Sequence, residues 1–276
     1  MRIRATVAAV SGALALSALA VPAAQAVTDS GAPYTLNASF STVSIAKAVK
    51  VGTTNEVSVS YSYTLTHGAD VNIAAKDFIT DAFLYHGTYS DTAPELYGDN
   101  PATCTATSST TATCKGSINI YPADGDLKNT WAGSWSVAAE AVAFNGQDQQ
   151  NPDMSKVGFK DQSGLGTSLV QRYSKLTTTV SATSVAKGKT FTASGKLTRA
   201  DWEKHTYNTV GGQSVKLQFR KSGTTTYTTI KTVTSDSSGN VKATATASTS
   251  GYWRYSYDGA STTPGVSATG VYVGVK

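Results

Sequence analysis

Val57-Ser58-Val59-Ser60-Tyr61-Ser62-Tyr63-Thr64-Leu65-Thr66 alternates without a break. In an extended strand Val57, Val59, Tyr61, Tyr63 and Leu65 fall on one face, and hydroxyl side chains fill the other. Successive strand side chains point to opposite faces, so the stretch predicts a strand with one face in a core and one in water. A helix would scatter the same apolar residues around its circumference. This stretch therefore reads as β, and the rest of the chain is written in the same residues.

The sequence is rich in Thr, Ser, Val, Tyr and Gly and poor in Leu, Glu and Met. In the first half, further strands are predicted over 34–41, 77–86, 113–121, 134–144 and 167–173. Gly52-Thr53-Thr54-Asn55, Gly98-Asp99-Asn100-Pro101 and Asn145-Gly146 carry turn chemistry between them. The second half is more regular, with strands predicted over 176–182, 191–198, 214–220, 227–233, 241–247, 252–258 and 267–275. Lys187-Gly188, Gly211-Gly212, Ser222-Gly223, Ser238-Gly239-Asn240 and Asp258-Gly259 punctuate them. Short strands packed into about 100 residues, with turn signals every 8–12, are the pattern of an immunoglobulin-like sandwich. Asp201-Trp202-Glu203-Lys204-His205 could form one helical turn between the second and third strands. No Pro/Gly/Ser-rich linker separates the halves. The expectation is an all-β protein of two β-sandwich domains, 27–172 and 173–276, the second immunoglobulin-like.

Charge divides the chain at the same place. Residues 27–170 hold 7 Lys, no Arg and 14 Asp and Glu, a net of −7. Residues 171–276 hold 14 Lys and Arg against 4 Asp and Glu, a net of +10. Such asymmetry bears on surface partners rather than on the fold. Lys216, Arg220, Lys231 and Lys242 alternate with apolar positions and are expected to face outward from neighbouring strands, making a basic sheet face. No nucleic-acid-binding module is recognisable, so nucleic acid is set aside as a partner. An anionic cell-wall polymer or another surface protein fits better, bound weakly and in a salt-dependent way.

The N-terminus predicts export. Arg2 and Arg4 precede an Ala/Leu/Val-rich stretch that Pro22 breaks, and Ala24-Gln25-Ala26 supplies the small-x-small cleavage pattern of a signal peptide, 1–26. A transmembrane helix is the competing reading, but the stretch is Ala-rich and interrupted by Ser11, Gly12 and Ser17. No second apolar span or sorting signal follows, so the expected product is secreted, held at the cell wall noncovalently if at all. Cys104 and Cys114 fit that compartment. They flank a nearly symmetric polar segment centred on Ser109, where a hairpin would bring the sulfurs together as one disulfide. A redox or metal pair is the alternative, and the spacing is far from Cys-x-x-Cys.

The chain has His67, His86 and His205 and many Ser, but no Gly-x-Ser-x-Gly elbow. Gly188-Lys189-Thr190 resembles the end of a phosphate loop, yet Thr183 stands where the first Gly is needed and a strand follows, so a turn is the better reading. Asp91, Glu95 and Asp99 share one loop region and Asp124 and Asp126 another, a ligand density that raises calcium, although Lys128 spoils the EF-hand spacing. Tyr252-Trp253-Arg254-Tyr255-Ser256-Tyr257 alternates: Trp253, Tyr255 and Tyr257 share one face, Tyr252 and Arg254 the other; such a strip could stack on sugar rings, but Trp253 and Tyr255 are assigned to the core. Trp202 in its charged loop is the leading exposed aromatic, with Trp131 second.

Arg172-Tyr173-Ser174-Lys175-Leu176-Thr177, Lys187-Gly188-Lys189-Thr190, 194–200, 213–221 and Gly251-Tyr252-Trp253-Arg254-Tyr255 resemble a recurring immunoglobulin-like module of exported actinobacterial proteins. Val51-Gly52-Thr53-Thr54-Asn55, Phe83-Leu84-Tyr85-His86-Gly87 and Ala102-Thr103-Cys104-Thr105-Ala106 resemble the domain that precedes it. Proteins of this look often carry a loose calcium-binding label. The resemblance implies no enzymatic activity, no catalytic residue and no cofactor. The expected function is a secreted, non-enzymatic binding or structural protein of the cell surface or matrix. A calcium-binding secreted protein and a secreted hydrolase using His67 or His86 are the alternatives.

Overall fold

The computed structural model describes residues 31–276, so the signal segment and its cleavage residues Ala24 and Ala26 lie outside the described residues. Among the described residues every regular element is a strand apart from three 3₁₀ turns, Pro122–Asp124, Asn129–Trp131 and Met154–Lys156. The expected all-β class is what the chain adopts. Its residues gather into two compact units. The first holds those up to Val49 together with Val57–Ile120 and Ser134–Ser168; the second holds Lys50–Glu56, Tyr121–Gly133 and Leu169–Lys276.

The strands begin with β1 (Tyr34–Thr35), β2 (Ala38–Ile45), β3 (Ala48–Val51), β4 (Val57–His67), β5 (Phe78–Tyr85) and β6 (Glu95–Leu96). β7 (Thr103–Ala106), β8 (Thr111–Ile120), β9 (Gly133–Ala143), β10 (Gly158–Gln162) and β11 (Thr167–Arg172) follow. One sheet runs β2-β4-β8-β7; the other runs β1-β10-β9-β11-β3, with β5 on β9 and β6 on β5. The deciding stretch is β4. Val59, Tyr61, Tyr63 and Leu65 are buried, and Ser58, Ser60 and Thr66 are exposed, as alternation requires. Its face meets the second sheet, where the Tyr63 hydroxyl lies 2.7 Å from Thr80 Oγ1. Burial pushes the Tyr63 phenol well above its ordinary value. β9 is buried on both faces from Val137 to Ala143, which its alanines allow. After it Asn145 and Gly146 both take positive φ, 52° and 80°, the conformation that Asn-Gly chemistry favours. β7 and β8 form the hairpin expected around Ser109. Cys104 stands opposite Cys114 in register, and the two are disulfide-bonded.

The second unit continues with β12 (Ser174–Leu176), β13 (Thr179–Val180), β14 (Ser184–Val185), β15 (Thr190–Asp201), β16 (Thr206–Thr209) and β17 (Ser214–Lys221). β18 (Thr228–Thr234), β19 (Asn240–Thr246), β20 (Gly251–Ala260), β21 (Thr263–Ser267) and β22 (Val271–Val275) complete it. β12, β13, β16 and β19 pair with β15, and β14-β22-β20-β17-β18 make the facing sheet, with β21 on β20. The short β12 and β13 with β15 and β19 on one side, and β17, β20 and β22 on the other, is the immunoglobulin-like arrangement. Phe191, Ala193, Leu197, Val241 and Ala243 from one sheet pack with Val215, Leu217, Trp253, Tyr255 and Val273 from the other. Burial raises the Tyr255 phenol to about 12, and it donates to the Ala193 carbonyl at 2.9 Å.

Two expectations are corrected here. The segment 201–205 is not a helical turn: β15 runs through Asp201, the chain reverses, and Thr206–Thr209 pairs back onto it. Asp201 does accept the amides of Glu203 and Lys204, as a helix N-cap would, but His205 takes a left-handed φ of 54° and closes a hairpin. Trp202 is not an exposed aromatic. It is fully buried, and its indole donates to the Val51 carbonyl at 3.2 Å.

Candidate ligand-binding face

The outer face of the second unit's larger sheet follows from alternation. On β17, Val215, Leu217 and Phe219 turn inward, which leaves Lys216, Gln218 and Arg220 outside. On β20, Trp253 and Tyr255 are buried as expected and Tyr257 with them, leaving Tyr252 and Arg254 on the other side. Register then assembles them. Arg220, Tyr252 and Tyr272 stand abreast across β17, β20 and β22, and Gln218 stands beside Arg254.

The result is a strip of alternating guanidinium and phenol groups. Arg220 lies 4.2 Å from the Tyr252 ring centroid and 5.4 Å from that of Tyr227. Arg254 lies 3.8 Å from the Tyr227 centroid and donates through Nε to Gln218 Oε1 at 2.9 Å. Arg220 donates through Nη1 to the Thr224 carbonyl. Tyr272 meets Tyr252 edge-on at 5.3 Å and is 44 % exposed. Cation–π stacking holds each guanidinium flat against a ring and leaves most of its five N–H donors at the rim. Among the described residues neither arginine forms an ion pair, whereas Lys216 is paired with Asp258. Planar cations on half-buried phenols, with Tyr272 exposed beside them, suit a ligand with anionic oxygens and hydroxylated rings.

The basic face is narrower than expected. Lys242 lies on β19 in the opposite sheet. Lys231 stands opposite the inward-facing Leu217, at a register shift between β17 and β18. Lys216 is neutralised by Asp258, so Arg220 and Arg254 carry the face. Tyr227 and Tyr272 were not singled out from sequence, because only the register places them beside the arginines.

The other candidates take structural roles. Gly188 occupies a turn, with φ 81°, that leads into β15. The Asp126 carboxylate accepts the Tyr121 amide at 2.8 Å. Asp91, Glu95, Asp99 and Asp124 join no metal site, for among the described residues no group of three metal-ligating side chains is arranged to hold an ion. His67 is buried and its Nδ1 meets the Gly68 carbonyl at 3.0 Å; His205 Nδ1 meets the Thr53 carbonyl at 3.2 Å. The His86 ring packs 5.3 Å from Trp135, and burial lowers its affinity for a proton. Trp131 is half-buried beneath the Lys128 ammonium at 5.0 Å.

No protein-family model and no curated protein matches the chain. Solved structures similar to it include the Yersinia pseudotuberculosis adhesin InvE, at 11% identity over 84% of this chain with a TM-score of 0.28. The Escherichia coli adhesin FdeC aligns at 12% identity over 89% of this chain and 66% of its own, with a TM-score of 0.31. The fibronectin(III)-like modules of Clostridium thermocellum CbhA align at 13% identity over 85% of this chain and 95% of theirs, with a TM-score of 0.27. The chain spans 58% of the length of the InvE structure. Similarity at this level bears on no ligand or partner, and the fold assignment rests on strand order and core. Among the described residues no helix is long and apolar enough to cross a membrane.

Proposed function

We propose that this is an exported, non-enzymatic binding protein whose second unit holds an anionic, sugar-containing wall polymer against the Arg220–Arg254 strip. In this reading the signal segment 1–26 is removed after Ala26 and the protein stays at the surface noncovalently. The carrying observation is that two guanidinium groups, ordered by stacking on Tyr252 and Tyr227, have no carboxylate partner among the described residues. An acidic polymer supplies the missing charge, and Tyr272 offers a ring face for a sugar.

The full chain is tested against a polyol-phosphate polymer and a neutral glucan. Binding to the phosphate polymer at about 50 mM salt, and its loss by about 500 mM, is expected from screening. Replacing both Arg220 and Arg254 with Ala should weaken it by about tenfold or more with the fold intact by circular dichroism. Equal binding to the neutral glucan, or full binding by the double variant, would refute this role for the strip.

A further inference from the structure

The first unit contains a set of carboxyl groups that polymer binding does not use. Asp81 on β5, Glu140 on β9 and Asp161 on β10 are direct cross-strand partners, so three acids stand abreast in register. Like charges opposite one another oppose sheet formation. Glu95 joins them from β6, which pairs with β5.

The segment 86–102 covers this row and is tied to it through the acids themselves. The Tyr89 hydroxyl donates to Asp161 Oδ2 at 2.7 Å, and the Ala102 amide donates to Asp81 Oδ1 at 2.9 Å. Tyr97 is hydrogen-bonded to Glu95, and its ring stacks on Phe83 at 4.4 Å. The Tyr89 ring packs 5.0 Å from Tyr85. Beneath this cover Glu140 is 8 % exposed, and no other described residue hydrogen-bonds its carboxyl.

The neighbours offer no counter-charge. β5 contributes Asp81, β6 Glu95, β10 Asp161, β4 Tyr61 and Tyr63, and the cover Tyr89, Tyr97 and, beside Glu95, Asp91. A carboxylate largely withdrawn from water and facing other acids rather than a cation carries a desolvation cost, which protonation removes.

We propose that Asp81, Glu95 and Glu140, crowded beside Asp161, form a proton-operated latch, which holds the 86–102 cover closed while these three carboxyls are protonated and releases it when they ionise. Burial, reinforced by Asp81, Glu95 and Asp161, pushes Glu140 up to about 8. Burial likewise raises Asp81 and Glu95 to about 7 each. Ionisation of the cluster therefore falls across neutrality. Lifting the cover would expose Phe83, Tyr85 and Ala138, the floor on which Tyr89 and Tyr97 rest.

The test is hydrogen exchange of the full chain, corrected for intrinsic rates, at about pH 5.5 and about pH 8.5. Amides within 86–102 should exchange at least about tenfold faster at the higher pH, with little change in β4 and β8. Glu140→Gln, which removes one charge and keeps the shape, should abolish most of that difference. If that variant does not fold, Asp161→Asn decides by the same measurement. Equal protection at both pH values, or an undiminished difference in the folded variant, overturns the latch. Neither readout depends on polymer binding.

Discussion

Asp201 shows what one side chain can organise. Its Oδ1 accepts Asn129 Nδ2 at 2.7 Å and the amides of Glu203 and Lys204 at 3.1 and 3.0 Å. Its Oδ2 accepts Asn208 Nδ2 at 2.6 Å. Burial alone would raise this carboxyl; the hydrogen bonds from Asn129, Lys204 and Glu203 outweigh it and hold the group below its ordinary value. Asn129 also accepts the Trp202 amide at 3.0 Å, so the acid fixes the backbone that buries the indole. Asp201→Ala would strand these donors and should destabilise the second unit by about 2–3 kcal/mol. Asp201→Asn, which keeps one acceptor, should cost less. Urea unfolding checks both, and a loss in the alanine variant below about 0.5 kcal/mol would deny the residue this role. The bonds also explain why Trp202 could not be placed from sequence. A charged pentapeptide reads as exposed, and only the fold brings Asn129 and Val51 to it.

The β7–β8 hairpin, by contrast, was legible as an element, because its ends and turn are adjacent in sequence. Thr107 and Ser108 donate their amides to the Thr111 carbonyl at 2.8 and 3.1 Å, closing a short polar turn. The disulfide Cys104–Cys114 closes this loop and should act mainly on the unfolded chain, by about 2–3 kcal/mol. Replacing both cysteines with Ser should lower the melting temperature of the first unit by several degrees while leaving Arg220–Arg254 polymer binding intact. An unchanged melting temperature, or lost binding with the second unit still folded, contradicts this division of roles. β4 was equally readable, since alternation is local. β10 was not: Gly158-Phe159-Lys160-Asp161-Gln162 has no apolar alternation and is a strand because β9 and β1 pair with it. The acid row is therefore invisible in sequence, since register between distant strands makes it. The arginine strip was half visible, through the alternation of Tyr252 and Arg254.

At the scale of the whole molecule, the charge split implies two units with opposite responses to pH. In the first, burial raises Asp81 and Glu95 to about 7 and Glu140 to about 8. These lie above the roughly 4 of an unfolded carboxyl, so the folded unit binds more protons across that window. Its stability is complete at the acid end and declines as pH rises through about 7–8. In the second unit Asp201 lies below its ordinary value, so there the unfolded chain binds more protons. Its contribution is complete above about pH 4 and is lost as pH falls through the lowered value. Net charge works in the same sense. Acid removes repulsion from residues 27–170, which carry −7 and supply most of the first unit, and adds it to residues 171–276, which carry +10 and supply most of the second. Calorimetry of the full chain between about pH 3 and about pH 9 should show the two transitions moving in opposite directions. Asp201→Ala identifies one transition by lowering it. Glu140→Gln identifies the other by raising it only at the alkaline end, by about 5 °C. Parallel movement of both transitions would mean that a property common to the chain governs its pH response, and that neither buried acid does.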